Sequence, residues 1–167
     1  MLDIKDFSKR YTIRTIMPSD VAQVFSLCKG NELYYKYCTP FVTEQSIIND
    51  LEALPEGKDI ADKYYVGFFD GKRLVAVMDL IDKYPNDATV FIGFFMLDVS
   101  VQHQGVGTSI IQELLQYLRG HLYRYVRLGW VKGNLQSESF WHKIGFVETG
   151  IFCENDEYTV IVAQLDL

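Results

Sequence analysis

A glycine-containing loop is the part of the sequence best suited to hold an anionic ligand. Residues 102–108, QHQGVGT, follow an apolar run that starts at Val90 and precede a stretch with helical periodicity. Gly105 and Gly107 would let a ligand approach the backbone, and the first amides of a helix have no internal partner. The loop therefore suits a pyrophosphate. It lacks the Gly-Lys-Ser/Thr of a P-loop and the third glycine of a dinucleotide fingerprint, and tight strand–helix packing would also explain its glycines.

A second group of residues begins at Asn134, after a predicted strand over 125–131. Asn134 is placed to cap a short helix by accepting a hydrogen bond from the backbone N–H three residues on. Gly145 suits the left-handed end of that helix, and Phe146 would then pack on Trp141. The Asn134 amide could instead contact a ligand, and the sequence leaves both roles open.

The remaining elements must bring these two groups together. Alternating apolar residues and turn signals predict strands over 11–16, 64–69, 74–81, 90–97, 125–131, 146–150 and 158–165. Helices are predicted after Pro18, after Thr43 and from Val106 to Leu118, and a tyrosine-rich segment connects the first two. A helix between the strands at 90 and 125 implies that they are parallel neighbours. The sequence thus predicts a mixed sheet with helices on both faces.

Composition is that of one soluble domain over residues 1–167. The net charge of -6 argues against a nucleic-acid partner. No apolar run reaches the roughly 18 residues that span a membrane, and the N-terminus has no signal-peptide core. Cys28, Cys38 and Cys153 have no metal-binding or redox spacing, which favours a reduced cytoplasmic location and predicts no metal site.

The loop and the second group, taken in order, resemble the GNAT superfamily of acetyl-CoA-dependent N-acetyltransferases. The features are Gln102-x-x-Gly105-x-Gly107 after a long apolar strand and the later Asn134…Phe140-Trp141 element. The resemblance implies an α/β (mixed α+β), three-layer fold with about seven mostly antiparallel strands and a splay between strands four and five. It also implies direct transfer of acetyl from acetyl-CoA to a primary amine of a small molecule or peptide. The expected assembly is a monomer or homodimer.

The resemblance also implies which residues hold coenzyme A. The edge of strand four, Leu97 to Val99, would pair with the pantetheine arm, and the Leu97 N–H would donate to the thioester carbonyl. Backbone amides from seven consecutive residues would hold the pyrophosphate: Gln102, His103, Gln104, Gly105, Val106, Gly107 and Thr108. Asn134 and Phe140 would contact the arm. Valine at either loop glycine is expected to block cofactor binding by filling the space that the phosphates approach.

Two catalytic roles lack the residues usual in the family. Many members carry a tyrosine, as general acid, where this sequence has Trp141, whose indole donates a hydrogen bond without ionising near pH 7. A structural role would also explain Trp141, and His142 or Tyr158 could replace it as the acid. Strand four has no acidic residue, so Asp98 and then Asp79 are the candidate bases. A structural role at a strand end or in a hydrogen bond explains either aspartate somewhat better than catalysis does, and ordered water could serve instead.

The acceptor pocket in this family is covered by the first two helices and their connection. That placement assigns four aromatic residues to amine binding, namely Tyr34, Tyr35, Tyr37 and Phe41, although core packing would also explain them. A second hypothesis is a catalytically weak acyl-CoA sensor or protein-interaction domain of the same fold. A third is a nucleotide-phosphate binder unrelated to coenzyme A.

Overall fold

A computed structural model describes residues 2–167 of the protein. Within them the α-helices are α1 (Val21–Lys29), α2 (Glu32–Tyr37), α3 (Glu44–Glu52), α4 (Val106–Arg119) and α5 (Leu135–Ile144). The β-strands are β1 (Thr12–Thr15), β2 (Lys63–Asp70), β3 (Arg73–Ile81), β4 (Thr89–Leu97), β5 (Tyr125–Val131), β6 (Val147–Glu154) and β7 (Thr159–Asp166). No helix in this part of the chain is long and apolar enough to cross a bilayer.

The strands form one sheet in the order β1-β2-β3-β4-β5-β7-β6. All neighbouring pairs are antiparallel except β4 and β5, which are parallel, as the helix between them predicts. The turn at Asp70-Gly71 joins β2 to β3, and Gly71 takes the positive φ of 60° that such a turn needs. The predicted mixed sheet is therefore confirmed.

The parallel ladder between β4 and β5 is short. It pairs 89–92 with 125–128 and then stops, although both strands continue. On the other side of β4, Leu80 pairs with Ile92 and Asp79 with Phe94, so Gly93 is the extra residue of a β-bulge. A bulge bends a strand and increases its twist. The bend at Gly93 comes directly after the last β4–β5 pair, which accounts for the splay between these strands.

Helices cover both faces of the sheet and define two cores. On one face the apolar stripe of α4, which includes Ile110, Leu114 and Leu118, packs on the sheet together with Trp141 of α5. On the other face α1 packs on β3 and β4, and α3 packs against α1. Thr43 caps α3 by accepting a hydrogen bond from the Ser46 N–H, as predicted.

Two features differ from the prediction. The tyrosine-rich connection contains a helix, α2, whose six residues end before Pro40. The strand predicted over 146–150 continues to Glu154 and pairs with β7 across a register shift near Gly150. The lengthened β6–β7 hairpin reaches the end of α2, where the Thr39 hydroxyl donates to Glu157 at 2.7 Å.

Candidate active site

A cleft of about 480 Å³ lies beside the end of β4, between the start of α4 and the face of α5. It brings together residues from both groups that the sequence singled out. Its walls include Asn31, Tyr34, Phe95, Met96, Leu97, Gln102, His103, Gly105, Gly107, Thr108, Asn134, Gln136, Ser137, Ser139, Phe140, Trp141 and Lys143. Of the predicted cofactor residues, Val99, Gln104 and Val106 do not line it.

The loop before α4 presents free backbone amides. His103 and Gly105 have positive φ values of 60° and 78°, and left-handed residues within a turn help successive N–H groups to form a concave nest. Ser109 donates the first helical bond, to the Gly105 carbonyl. No protein acceptor within residues 2–167 takes the amides of 103–108. The Gln102 amide differs, since it donates to the Val99 carbonyl at 3.3 Å.

The two loop glycines are needed for different reasons. A Cβ built on Gly105 meets nothing within 4 Å, so its position faces open space, and its backbone is left-handed. A Cβ on Gly107 would lie 2.8 Å from Leu97 Cδ1 and 3.3 Å from the Phe140 ring. Gly107 thus allows α4 to pack closely on β4 and α5, which is a second reason for glycine at this position beside the predicted approach of the phosphates.

The backbone of Leu97 is directed into the gap between β4 and β5. The Asp98 N–H donates to the Val75 carbonyl at 2.9 Å on β3. Hydrogen-bonded pairs alternate along an antiparallel ladder, so the N–H and C=O of Leu97 face away from β3. The β4–β5 ladder has already ended there. The Leu97 N–H is therefore a strand-edge donor that a ligand in the gap could use.

Side chains fix the position of this strand end. Asn31 Nδ2 donates to the Leu97 carbonyl at 3.0 Å and to the Leu27 carbonyl at 3.0 Å. Gln102 Nε2 donates to Asn31 Oδ1 at 2.7 Å and reaches the Leu97 carbonyl at 3.3 Å. The carbonyl of Leu97 is thus satisfied by amide side chains, while its N–H remains free. Nothing in the local sequence of Asn31 indicates this long-range role.

Asn134 fulfils the predicted capping role and also lines the cleft. It is only 3% exposed, and its Oδ1 accepts from the Ser137 N–H at 3.2 Å. This bond fixes the amide orientation, because the oxygen must face the helix. Nδ2 has no acceptor in residues 2–167 and remains available to a ligand. The two roles that the sequence left open are therefore compatible.

Substitutions at Asn134 should separate these roles. Asn134→Asp keeps the acceptor for the Ser137 N–H but removes the Nδ2 donor and adds a negative charge in the cleft. We expect this variant to keep the melting temperature of the unmodified protein. Its affinity for acetyl-CoA should fall about tenfold, because one hydrogen bond is lost and the new carboxylate repels the anionic ligand. Asn134→Ala removes the cap as well and should also cost about 1 kcal/mol of stability. Calorimetric titration measures the affinity, and thermal unfolding measures the stability. If Asn134→Asp binds acetyl-CoA as tightly as the unmodified protein, Asn134 Nδ2 does not contact the ligand.

Aromatic rings of α5 form one wall of the cleft. The rings of Phe140 and Trp141 lie 4.8 Å apart, and Trp141 also contacts Phe146 at 5.3 Å. Trp141 is 6% exposed, so it has the structural role that the sequence left open, and it also faces the cleft. His142 turns away, with Nδ1 on the Phe146 carbonyl at 3.1 Å. It does not line the cleft.

The four predicted acceptor aromatics are divided by the structure. Tyr34 lines the cleft and packs edge-on against Phe94 with ring centroids 5.9 Å apart. Tyr35 packs on Tyr34 and on Phe41, and it belongs to the core under α1. Tyr35, Tyr37 and Phe41 are not part of the cleft wall.

Burial raises the pKa of Tyr34 well above its usual range, with Cys38, Tyr35 and Tyr158 beside it adding to the effect. Tyr34 is therefore a hydroxyl donor at neutral pH. Tyr158 comes from the β6–β7 hairpin, and its pKa is raised first by its hydrogen bond with Cys38. Tyr158 does not line the cleft.

The two candidate bases have different surroundings. Asp98 caps a short 3₁₀ turn, and its Oδ1 accepts from Arg73 at 3.2 Å and from the Ser100 N–H at 2.9 Å. Partial burial raises the pKa of Asp98, but the bonds from Ser100 and the charge of Arg73 outweigh it and leave the pKa below its usual value. Asp98 does not line the cleft, so its geometry gives the predicted role as a base no support.

Asp79 lies on the face of β3 that α1 and α3 cover. It forms an ion pair with Lys63 at 2.7 Å, and the Lys63 side chain is 2% exposed. Burial raises the pKa of Asp79, which the bond from Lys63 partly offsets. Asp79 does not line the cleft, and the sequence did not indicate Lys63 as its partner.

The cleft also contains residues that the sequence reasoning missed. Lys143 and Gln136 of α5 line it alongside His103 of the loop. A lysine facing amides that suit a phosphate adds positive charge where an anion would lie. Lys143 stands two residues after Trp141 on the exposed side of a short helix, a position that alone indicates only a solvated charge.

Comparison with known proteins decides the family. The family model described as the acetyltransferase (GNAT) family matches residues 31–146, which contain α2, the whole cleft-forming loop and α5. This chain belongs to the GNAT acetyltransferase family. No curated protein sequence matches it. The GNAT assignment confirms the resemblance of the two motifs.

Solved structures share the GNAT fold over nearly the whole chain. An acetyltransferase from Thermus thermophilus matches with a TM-score of 0.73 at 16% identity, covering 93% of this chain and 96% of that one. An acetyltransferase from Salmonella typhimurium that modifies the N-terminal serine of ribosomal protein L7/L12 matches with a TM-score of 0.74 at 17% identity, covering 96% and 97%. The L7/L12 α-N-protein acetyltransferase RimL in complex with coenzyme A also has a TM-score of 0.74, at 16% identity, covering 99% and 98%.

Proposed function

We propose that this GNAT protein transfers the acetyl group of acetyl-CoA directly to a primary amine. The observation that carries the proposal is the cleft, in which free amides at the start of α4 and the free N–H of Leu97 face one space. The amides of 103–108 would hold the pyrophosphate, as a helix start favours an anion. Acetyl-CoA would place its thioester carbonyl at the edge of β4.

The chain's own groups account for most of the required chemistry. The Leu97 N–H would donate to the thioester oxygen, where negative charge develops during attack by the amine. Asn31 and Gln102 would keep this donor in place through the Leu97 carbonyl. Tyr34 and the indole of Trp141 both line the cleft and could donate a hydrogen bond to the departing sulfur. Because a thiol has a pKa near 8.5, such a donor is sufficient without full proton transfer.

A peptide N-terminus is the acceptor that we propose to test first. Two neighbours of the same fold are, by their descriptions, acetyltransferases acting on the N-terminus of a ribosomal protein. An α-amine has a pKa near 8, against about 10.4 for lysine, so a larger fraction is neutral at pH 7. Small-molecule amines are tested as well, because the residues of the cleft are assigned to the cofactor and do not select the acceptor.

The test is acetyl-CoA turnover with peptides of varied N-terminal residue, polyamines, aminoglycosides and amino acids. We expect acetylation of at least one amine and a thermal shift with acetyl-CoA that ATP and NAD do not produce. Tight binding of acetyl-CoA with no turnover on any acceptor would favour the acyl-CoA sensor. A shift with ATP or NAD but not acetyl-CoA would favour the nucleotide binder.

A further inference from the structure

Residues from both cores line the cleft. Those that pack with the core under α4 and α5 are Phe95, Leu97, Phe140 and Trp141. Tyr34 of α2 and Met96 of β4 also line it, but they pack with the core under α1 and α3. Successive residues of a strand face opposite sides of a sheet. The cleft therefore extends from one face of the sheet to the other, beyond the end of the β4–β5 ladder.

Tyr34 borders the part of the cleft beside the Leu97 backbone. The Leu97 carbonyl accepts from Asn31 Nδ2 at 3.0 Å, and the Tyr34 N–H donates to the Asn31 carbonyl at 3.1 Å. Tyr34 thus lies one helical turn beyond the residue that contacts Leu97. Its ring packs edge-on against Phe94, which precedes Leu97 on β4. The ring consequently covers β4 next to Leu97, on the face that α1 covers.

Neighbouring side chains restrict the Tyr34 ring on several sides. The Tyr35 ring packs edge-on against it with centroids 5.0 Å apart, and Phe94 contacts it from β4. Cys38 and Tyr158 lie beside it. Forcing extra methylene groups into such a packed arrangement displaces side chains at a cost in free energy. The ring of Tyr34 is therefore a wall that does not readily move aside for a larger ligand.

We propose that Tyr34 limits the transferred acyl group to acetyl and excludes longer straight chains such as butyryl. The proposal rests on the function proposed above, in which the Leu97 N–H binds the thioester carbonyl. The pantetheine arm would reach Leu97 from the side of α4 and α5, so the acyl group extends towards the opposite face. There Tyr34 and Met96 form the wall. An acetyl group ends at its methyl, whereas the two further methylene groups of butyryl would meet the ring.

The chemical step is the same for either acyl group. A C–N bond forms between the amine nitrogen and the acyl carbon, the C–S bond breaks with its electron pair leaving on sulfur, and the nitrogen releases one proton to solvent. Acetyl and butyryl thioesters therefore differ in how well the chain fits. The ratio of their kcat/KM values measures that fit, and a general loss of activity or stability leaves the ratio unchanged.

The experiment compares acetyl-CoA with butyryl-CoA, using an amine that the unmodified protein acetylates. We expect kcat/KM for butyryl-CoA to be at least about 100-fold lower, since one methylene group that does not fit costs about 10- to 200-fold. Tyr34→Ala should reduce this gap to less than about tenfold. Tyr34→Leu, which keeps more of the packing against Phe94, should reduce it in the same direction if the alanine variant does not fold.

Two control variants separate the ring from its hydroxyl and from the rest of α2. Tyr34→Phe keeps the ring and should keep the gap, even if the loss of the hydroxyl slows the reaction with both thioesters. Leu33→Ala truncates the adjacent side chain, which is 46% exposed and does not line the cleft, and it should match the unmodified protein.

The outcomes distinguish this inference from the proposed function. Equal use of both thioesters by the unmodified protein would overturn the inference, as would an unchanged gap in folded Tyr34→Leu, and acetyl transfer would stand in both cases. If the unmodified protein acylates no amine with either thioester, the proposed function fails. Calorimetric titration then tests the wall alone: the unmodified protein should bind butyryl-CoA at least about tenfold more weakly than acetyl-CoA, and Tyr34→Leu should remove the difference. Equal affinities in the unmodified protein would overturn the inference there too.

Discussion

Gly105→Val should reduce the affinity for acetyl-CoA by at least about 100-fold. Two effects combine at this position. The backbone φ of 78° is unfavourable for any residue with a Cβ, and a β-branched one is worse, so the loop would relax and its amides would turn. The added side chain would also enter the open space that the free amides face. Titration calorimetry with acetyl-CoA measures the loss.

Gly57→Val is the matched control for this variant. Gly57 has the same φ of 78°, and its Cβ position likewise meets nothing within 4 Å, but it lies after α3 and outside the cleft. Both variants should lose a similar amount of stability, on the order of 1–2 kcal/mol. Only the change at 105 should affect binding. If a folded Gly105→Val protein binds acetyl-CoA normally, the loop does not hold the phosphates.

An ester bond in place of the Leu97 amide should lower kcat by about 10²–10³-fold. This change, made by incorporating the α-hydroxy analogue of leucine, removes the N–H and keeps the side chain that packs near Gly107. The N–H faces away from β3, so the β3–β4 ladder loses no bond. The KM for acetyl-CoA should change little, because the proposed contact strengthens mainly as charge develops on the oxygen.

The same substitution one residue later provides the control. The Asp98 N–H donates to the Val75 carbonyl, so an ester there removes a ladder bond. We expect it to lower the melting temperature and to leave kcat nearly unchanged. The opposite pattern, with kcat lost at 98 and kept at 97, would show that the donor to the thioester has been misassigned.

Much of the proposed cofactor-binding part of the cleft could be predicted, because the sequence signals for it are local. The loop glycines, the helix stripe from Val106 and the Asn134 cap each depend on neighbours within a few residues, and the structure contains the predicted loop, helix and cap. The pairing of β4 with β5 followed from the intervening helix. In each case, local backbone preferences and the tertiary structure agree.

Contacts between residues far apart in the sequence could not be predicted in the same way. Lys63 meets Asp79 only through strand register, and Asn31 meets Gln102 from 71 positions away. The helix α2 carries tyrosines that suit a loop or strand as well as a helix, so tertiary packing decides its conformation. The close packing at Gly107 was not predicted for a related reason, since its close neighbours come from β4 and α5.

The short parallel ladder has a consequence for how the protein responds to its cofactor. Within residues 2–167 only four residue pairs join β4 to β5, so an extended ligand between these strands would act as a substitute strand. Its binding energy would then add to folding, by about 2.7 kcal/mol at a ligand concentration 100 times Kd. Hydrogen exchange at the ends of β4 and β5 should slow more than elsewhere when acetyl-CoA is added, joining two half-sheets into one cooperative unit.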